Sequence, residues 1–440
     1  MEPESSPIKY IPVVLETLAY GGDAVGHIGE RVVFVPGGVP GDRILISISG
    51  EKDSFSRGRI ERIEEPSPNR VEPFCPHADR CGGCQWQQVS ADTQLFWKSR
   101  IVGESLRRIA RIDDVPVEPC IPSPHDRGYR SVARFPVSVG SGRFVMGYHE
   151  RKSNTIVDID HCPILTSRED ELFAGIRDLL AGAVPLPPVT EVTVQASHHH
   201  PSALVDIFLD DPYDLSGIAG ELMQSFPRCV GVSVRIGGEH GRKNHLAWYG
   251  EAARLEELGD ARFNIGGGAF FQVNIPQTEC LVSLVRELLA GESTDTVIDG
   301  YGGVGLFSFA VFSDDTRITL FDIDRRAVAD SRTNAELNGY RHFTALAGTA
   351  AEAFEQCPDP DVIILDPPRT GLGRRVVEGI AEHRAPVVVY VSCNPATLAR
   401  DLGIFREQGY LIERVIPIDM FPQTFHIETV VKLRRGMRTS

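Results

Sequence analysis

A chain of 440 residues is too long for one ordinary hydrophobic core, and about two or three domains are expected. With 42% hydrophobic and 24% charged residues it reads as globular, since no apolar run approaches the roughly 18 residues of a membrane span, and Met1-Glu2-Pro3-Glu4-Ser5-Ser6 lacks the basic-then-apolar order of a signal peptide. The cytoplasm is the expected compartment, and a net charge of −15 argues against broad affinity for nucleic acid while leaving room for a local basic groove.

Residues 9 to 63 alternate short β-rich runs with glycine turns: Val13-Val14-Leu15, Gly21-Gly22, Arg31-Val32-Val33-Phe34-Val35, Pro36-Gly37-Gly38 and Arg43-Ile44-Leu45-Ile46-Ser47-Ile48. Regularly spaced strands with turn signals predict a small barrel. The stretch from Leu18-Ala19-Tyr20-Gly21-Gly22-Asp23-Ala24-Val25-Gly26 to Pro40-Gly41-Asp42 resembles the TRAM domain, an OB-like RNA-binding module appended to RNA-modifying enzymes. Its charges are roughly balanced in sign, as a purely structural barrel would also have them. Glu64-Glu65-Pro66-Ser67-Pro68 reads as a linker, closing a first domain at residues 1–66.

Cys75-Pro76-His77-Ala78-Asp79-Arg80-Cys81-Gly82-Gly83-Cys84 sets three cysteines within ten residues, with glycines that let the backbone wrap closely around a ligand. In a cytosolic chain, nine cysteines are expected to be metal ligands, nucleophiles or core thiols rather than disulfides. Thiolates so crowded usually share a metal centre. As fourth ligand, Cys162 in Asp160-His161-Cys162-Pro163 is preferred to Cys120 because a proline follows it, as one follows Cys75. The spacing leaves zinc and an iron–sulfur cluster open, because a Cys-x-x-Cys pair serves either, and a packed knot of reduced thiols is the bland alternative. Residues 92 to 111 read as a helix that packs on the catalytic domain, and residues 128 to 260 as mixed strands and helices, giving a central α+β domain at 67–260. Within it His198-His199-His200 lies between the strand patterns Glu191-Val192-Thr193-Val194 and Ala203-Leu204-Val205-Asp206-Ile207, with Pro201-Ser202 completing a turn. It reads as a solvated hairpin loop, since tandem histidines cannot easily converge on one ion.

From 261 to 440 apolar strands alternate with helices: Thr296-Val297-Ile298-Asp299, Arg317-Ile318-Thr319-Leu320-Phe321-Asp322, Val362-Ile363-Ile364-Leu365-Asp366 and Val387 to Ser392. That alternation implies an α/β domain, a doubly wound, Rossmann-like sheet with parallel crossovers. Asp299-Gly300-Tyr301-Gly302-Gly303-Val304-Gly305 follows the first of these strands. Its glycines fit the dinucleotide G-x-G-x-x-G and equally the acidic-then-glycine loop of S-adenosylmethionine methyltransferases. In either case Asp322 could accept both hydrogen bonds of a ribose hydroxyl pair. Asp366-Pro367-Pro368-Arg369 is a loop stiffened by two prolines, which either holds an acid and a guanidinium at a cleft or is merely rigid. Val388-Val389-Tyr390-Val391-Ser392-Cys393-Asn394-Pro395 is a buried strand stopped by Asn-Pro, so Cys393 falls at a C-terminal strand end, where open α/β sheets place their chemistry. Taken alone, it is as readily a packed core thiol as a nucleophile. Phe425-His426-Ile427-Glu428-Thr429-Val430-Val431 reads as a further strand with His426 and Glu428 on one face, where a charge is costly unless used or paired.

Cys393 in Ser-Cys-Asn-Pro, Asp366 to Arg369, Glu428 in His-Ile-Glu-Thr-Val, Phe270-Phe271-Gln272-Val273-Asn274 and the Tyr301 glycine loop resemble the RNA uracil-5-methyltransferase family. With the TRAM-like start and the four cysteines, the chain is most similar to its rRNA branch. The resemblance implies S-adenosylmethionine as methyl donor, a 4Fe-4S cluster at Cys75, Cys81, Cys84 and Cys162, Cys393 as nucleophile and Glu428 as base. It also implies Gln272, Tyr301, Asp322 and Asp366 as cofactor and base contacts, with RNA, ribosomal before transfer, as the partner and no obligate protein partner. The chemistry agrees with these residue types. Uracil C5 is too weak a nucleophile to attack a sulfonium methyl, so a thiolate must first add to C6, and a base must later remove the C5 proton. The uridine has to be unpaired or flipped out, because C6 is unreachable inside a stacked helix. A tRNA uridine methyltransferase, an NAD-dependent oxidoreductase with an iron–sulfur module and a non-catalytic iron–sulfur RNA-binding protein are the alternatives.

Overall fold

The structure is a computed structural model that describes residues 10–140, 143–237, 243–354, 356–357 and 359–436. Strands β1 (Ile11–Leu18), β2 (Ala24–Ile28), β3 (Arg31–Val35), β4 (Arg43–Lys52) and β5 (Phe55–Glu65) close into a barrel in the order β1-β2-β3-β5-β4. Val13, Leu15, Val33, Val35, Ile44 and Ile46 fill it, as the two-residue alternation of its strands requires. The expected linker at 64–68 is not free chain. Glu64 and Glu65 complete β5, and the Ser67 N–H donates to Asp42 Oδ1 at 2.8 Å while its hydroxyl donates to the Pro40 carbonyl at 2.7 Å. Arg70 adds a pair of bonds to the same carboxylate at 2.6 and 3.1 Å. Asp42 is fully buried, so its charge must be met by donors, and the residues after β5 supply them.

Helix α1 (Ala91–Ser105) runs into a π-helical turn, Leu106–Ala110, and stops at Arg111, whose φ is 57°. It lies on the catalytic sheet through buried polar contacts. Lys98 Nζ is 2.5 Å from Asp419 Oδ1 and donates to the Phe421 carbonyl at 3.1 Å, while Gln94 and Gln423 exchange bonds at 3.0 and 3.1 Å.

The next sheet is formed by β6 (Val132–Gly140), β7 (Arg143–His149), β8 (Ile156–Asp158), β9 (Val189–Ala196), β10 (Ala203–Leu209), β11 (Cys229–Gly237) and β12 (Lys243–Gly250), in the order β12-β11-β10-β9-β6-β7-β8. Helices α2 (Ser167–Gly182) and α3 (Ser216–Ser225) pack on it with Phe173, Ile176 and Leu222. The triple-histidine segment is the turn of the β9–β10 hairpin, as expected, and is pinned rather than freely solvated. The N–H groups of His198 and His199 donate to the buried Glu256 carboxylate at 2.9 and 3.1 Å. The rings diverge, His199 to Glu279 and His200 to Ser202.

After the hairpin β13 (Ala253–Leu258) and β14 (Ala261–Gly266) comes α4 (Ile275–Leu288). There follow β15 (Thr296–Gly300), α5 (Leu306–Val311), β16 (Arg317–Asp322), α6 (Arg325–Leu337), β17 (Phe343–Ala347), α7 (Ala350–Phe354), β18 (Val362–Leu365), α8 (Arg374–Glu382), β19 (Val387–Ser392), α9 (Pro395–Glu407), β20 (Tyr410–Ile418) and β21 (Glu428–Arg435). The sheet order is β17-β16-β15-β18-β19-β21-β20, parallel from β17 to β19 and antiparallel beyond. Strands β18 and β19 are buried at every position, as strands covered on both faces must be. The chain order reverses between β15 and β18, and this switch point opens a crevice at the C-terminal strand ends. One local expectation fails: β21 starts at Glu428, so His426 lies in the preceding loop and does not share a strand face with it. Among the described residues no helix is long and apolar enough to cross a membrane.

Replacing Lys98 by methionine leaves the Asp419 carboxylate buried without its cation, and should lower stability by ~3–5 kcal/mol, read as a lower urea midpoint at unchanged slope.

Candidate active site

The candidate reacting groups gather where the parallel strands end. Asp299 and Gly300 close β15, Asp322 closes β16, Asp366 follows β18 and Cys393 follows β19. Antiparallel β21 places Thr429 opposite Ser392, so Glu428 begins its strand beside Cys393. Asn394 gives this corner its shape. Its Oδ1 accepts the Ala396 N–H at 3.0 Å, capping α9, with Pro395 at the first helical position where a missing N–H costs nothing. Its Nδ2 donates to the Arg369 carbonyl at 3.0 Å, and Thr397 Oγ1 donates to the same oxygen at 3.2 Å, fastening the Asp366–Arg369 loop to the cysteine.

The glycine loop is held from both sides. The Gly302 N–H donates to the Phe321 carbonyl at 3.2 Å and the Gly303 N–H to Asp322 Oδ2 at 3.0 Å. A Cβ on Gly302 would lie 2.7 Å from Leu320 Cδ1, so glycine is demanded there by packing. Tyr301 takes φ 62°, a conformation that few non-glycine residues adopt. Asp322 Oδ1 accepts the Asp324 N–H at 2.8 Å, and Asp299 accepts the Ser308 N–H and hydroxyl at 3.0 and 2.6 Å. Gln272 is buried on a separate element, the segment leading into α4, and no hydrogen bond among the described residues links it to these carboxylates.

Charge crowding dominates the site. Burial, then Asp299 and Asp322, push Asp366 up to about 7, and burial pushes Asp299 up to about 6. Glu428 is raised well above the usual carboxylate range by burial and by Asp366, against the pull of Arg369, and its Oε1 has no hydrogen-bond partner among the described residues. Burial, Glu428 and Asp366 push the Cys393 thiol up to about 12, with Arg369 opposing. Burial and mutual repulsion thus favour the protonated forms at this edge, and a cation brought beside it would favour the ionised ones.

Cys75, Cys81, Cys84 and Cys162 line one cavity of about 280 Å³, into which Arg369 and His426 also face. Cys120 lies elsewhere, beside Lys98 and Asp419. All four thiols are free of disulfides, and burial raises Cys84 to about 11 and Cys162 to about 12. Among the described residues no group of three or more such side chains is drawn in tightly enough to hold a metal ion. The donor set is all sulfur, which suits zinc and an iron–sulfur cluster alike.

Two participants escaped the sequence. Asp401, fully buried in α9, accepts Leu372 N–H at 2.8 Å, Gly373 N–H at 3.1 Å and the Tyr390 hydroxyl at 2.9 Å, anchoring the far side of the Arg369 loop. Tyr20, on the barrel, donates to the Cys393 carbonyl at 3.3 Å. A lone acid in a helix and a tyrosine 373 positions away carry no local signal.

Comparison with known proteins agrees with this geometry. The family model for tRNA (uracil-5-)-methyltransferases matches residues 326–436. An RNA methyltransferase of Gloeobacter violaceus is 36% identical over 97% of this chain and 96% of its own, and one of Thermosynechococcus vestitus is 32% identical over 96% and 97%. The chain belongs to the RNA uracil-5-methyltransferase family. Among solved structures, the Pyrococcus abyssi tRNA (uracil-54, C5)-methyltransferase in complex with S-adenosyl-L-homocysteine superposes with a TM-score of 0.76 at 25% identity, covering 96% of this chain and 100% of that one. As an RNA uracil-5-methyltransferase, this protein has the expected methyltransferase fold behind a closed five-stranded barrel.

In the free methyltransferase, iodoacetamide should alkylate Cys393 slowly at neutral pH and about tenfold faster per pH unit until the thiol's raised pKa is reached, because only the thiolate reacts. Arg369→Ala should slow it further at fixed pH, as followed by mass spectrometry of the Cys393 peptide.

Proposed function

We propose that this enzyme transfers a methyl group from S-adenosylmethionine to C5 of a uridine in RNA, through a covalent bond between Cys393 Sγ and C6. The convergence of Cys393, Glu428 and the Asp366–Arg369 loop at one sheet edge carries this reading. Cys393 adds to C6 as the thiolate, so its proton must leave before or during attack, and the Arg369 guanidinium favours that loss. The added electron pair makes C5 nucleophilic. S-adenosylmethionine supplies the electrophilic methyl group when bound. Glu428 then takes the proton from C5, the C5–C6 double bond re-forms and Cys393 leaves. Glu428 can do so only as the carboxylate, a form that burial opposes and that Arg369 favours. Asp322, Tyr301, Gln272 and Asp366 are assigned to the cofactor and the base, with Asp322 keeping lone pairs for a ribose beyond the two backbone N–H groups that it already accepts.

Cys75, Cys81, Cys84 and Cys162 are assigned to a 4Fe-4S cluster, which would supply a charged centre beside Arg369 and His426. Protein purified without oxygen should then carry about four irons per chain, and Cys84→Ser should lose them together with the visible absorbance. We assign the barrel to RNA binding and the activity to the cytoplasm, with ribosomal RNA as substrate. A second reading, transfer RNA, is favoured by what the Pyrococcus abyssi relative methylates. Mapping 5-methyluridine in both RNA pools of a deletion strain decides between them.

With that RNA as substrate, Cys393→Ala should cut methylation by ~10³-fold or more, and 5-fluorouridine RNA should trap a covalent adduct with the wild type. Glu428→Gln should accumulate an adduct on ordinary RNA, already methylated, because the C5 proton stays. Absence of any trapped adduct with the wild type sinks the covalent mechanism.

A further inference from the structure

The barrel touches the catalytic corner through one tight turn, residues 19–23, closed by the Ala19 N–H to the Asp23 carbonyl at 3.0 Å and the Gly22 N–H to the Ala19 carbonyl at 3.0 Å. Three sides of the molecule grip this turn. Asp23 is buried and pairs with Arg57 of the barrel at 2.9 Å, and with Arg151 and Lys152 of the β7–β8 loop at 3.0 and 3.3 Å. Trp86 Nε1, two residues past the cysteine loop, donates to the Gly22 carbonyl at 3.2 Å. A Cβ on Gly22 would stand 2.8 Å from Gln85 Cβ and 3.2 Å from Phe425 Cδ1, at φ 91°, so the turn is pressed against both the cysteine loop and the loop before β21.

Out of this clamped turn projects Tyr20. Its ring packs edge-on against Phe425, with centroids 5.3 Å apart and planes at 89°, and its hydroxyl donates to the Cys393 carbonyl at 3.3 Å. That carbonyl sits where β19 has ended and α9 has not begun, between two regular elements. The peptide plane following Cys393 helps set the direction of its Cα–Cβ bond, so a tether on this oxygen limits where the sulfur can point. The phenol is also within electrostatic reach of Arg369, Cys393 and Glu428.

We infer that Tyr20 is a positioning residue for Cys393, so that the barrel completes the catalytic centre instead of serving only to hold RNA. The inference rests on the proposed function insofar as Cys393 is the nucleophile. It adds that the reactivity of that thiol depends on how the barrel is seated, which ties engagement of RNA by the barrel to the direction of the sulfur.

The test is Tyr20→Phe, which deletes the hydroxyl and keeps the ring on Phe425. The expected result is a roughly tenfold to hundredfold fall in kcat for methyl transfer, with KM for RNA and for S-adenosylmethionine unchanged and an unchanged thermal midpoint. Adduct formation with 5-fluorouridine RNA should slow by the same factor. A wild-type kcat in the variant, or a raised KM for RNA at constant kcat, overturns the inference, the latter making Tyr20 an RNA contact. Iodoacetamide labelling of Cys393 in the free protein gives a readout independent of methylation. Freed of its tether, the thiol should sample more exposed directions and be alkylated at least about threefold faster in Tyr20→Phe at fixed pH. An unchanged labelling rate counts against the tether. If the wild type fails to form any RNA adduct, the covalent mechanism falls, and labelling alone then decides whether Tyr20 holds Cys393.

Discussion

Four carboxyl groups and a thiol share one edge of the catalytic sheet, and keeping that much potential negative charge out of water is the constraint around which the centre is arranged. Two like charges about 4 Å apart repel by ~4 kcal/mol at an effective dielectric of about 20, so the groups cannot all ionise without a cation among them. The protein offers one, Arg369, within reach of Cys393 and Glu428. A sulfonium would be a second. Burial therefore keeps part of this edge protonated, and a cation brought beside it favours ionisation of the rest.

Such an edge holds together only because rigid neighbours oppose its repulsion. Asp401 meets the Leu372 and Gly373 N–H groups, the Tyr390 hydroxyl and the Arg400 guanidinium, fixing the far side of the Asp366–Arg369 loop, while Asn394 caps α9 and ties the near side of that loop to Cys393. On the other flank, Lys98 of α1 reaches Asp419, and Gln94 bonds with Gln423, in the segment that leads to Glu428. Helix α1 and the barrel turn at Tyr20 therefore both brace the catalytic domain from earlier in the chain. Their contacts span more than 300 positions of sequence, so these parts of the chain must fold against each other for the corner to exist.

The sequence made some of this legible and hid the rest for a physical reason. Strands β16 and β19 were readable to the residue, because runs of β-branched side chains buried on both faces end sharply at an acid or at Asn-Pro. The four cysteines stand out by crowding and proline neighbours, which are local features, and the fold brings them to one cavity without drawing them into a metal site among the described residues. The placing of His426 beside Glu428 failed because alternation assumed a strand that starts three residues too early. The linker at 64–68 holds from Pro66 onward, but its pinning by buried Asp42 is invisible without the fold. Asp401, Lys98 and Tyr20 act through partners far along the chain, and periodicity does not report such pairs.

Arg369 links the two chemical centres. Its side chain faces the cavity of the four cysteines, and its charge bears on Cys393, Glu428, Tyr20 and His426. The ring of His426 lines the same cavity, and burial and then Arg369 push it down to about 4, so it stays neutral beside the guanidinium. Arg130 lines that cavity too and is the cation that bears on Cys84, so Arg369 is not alone there. Arg369 therefore lies at the border of the cysteine cavity while its charge bears on Cys393 and Glu428, which sets the two groups of residues against each other.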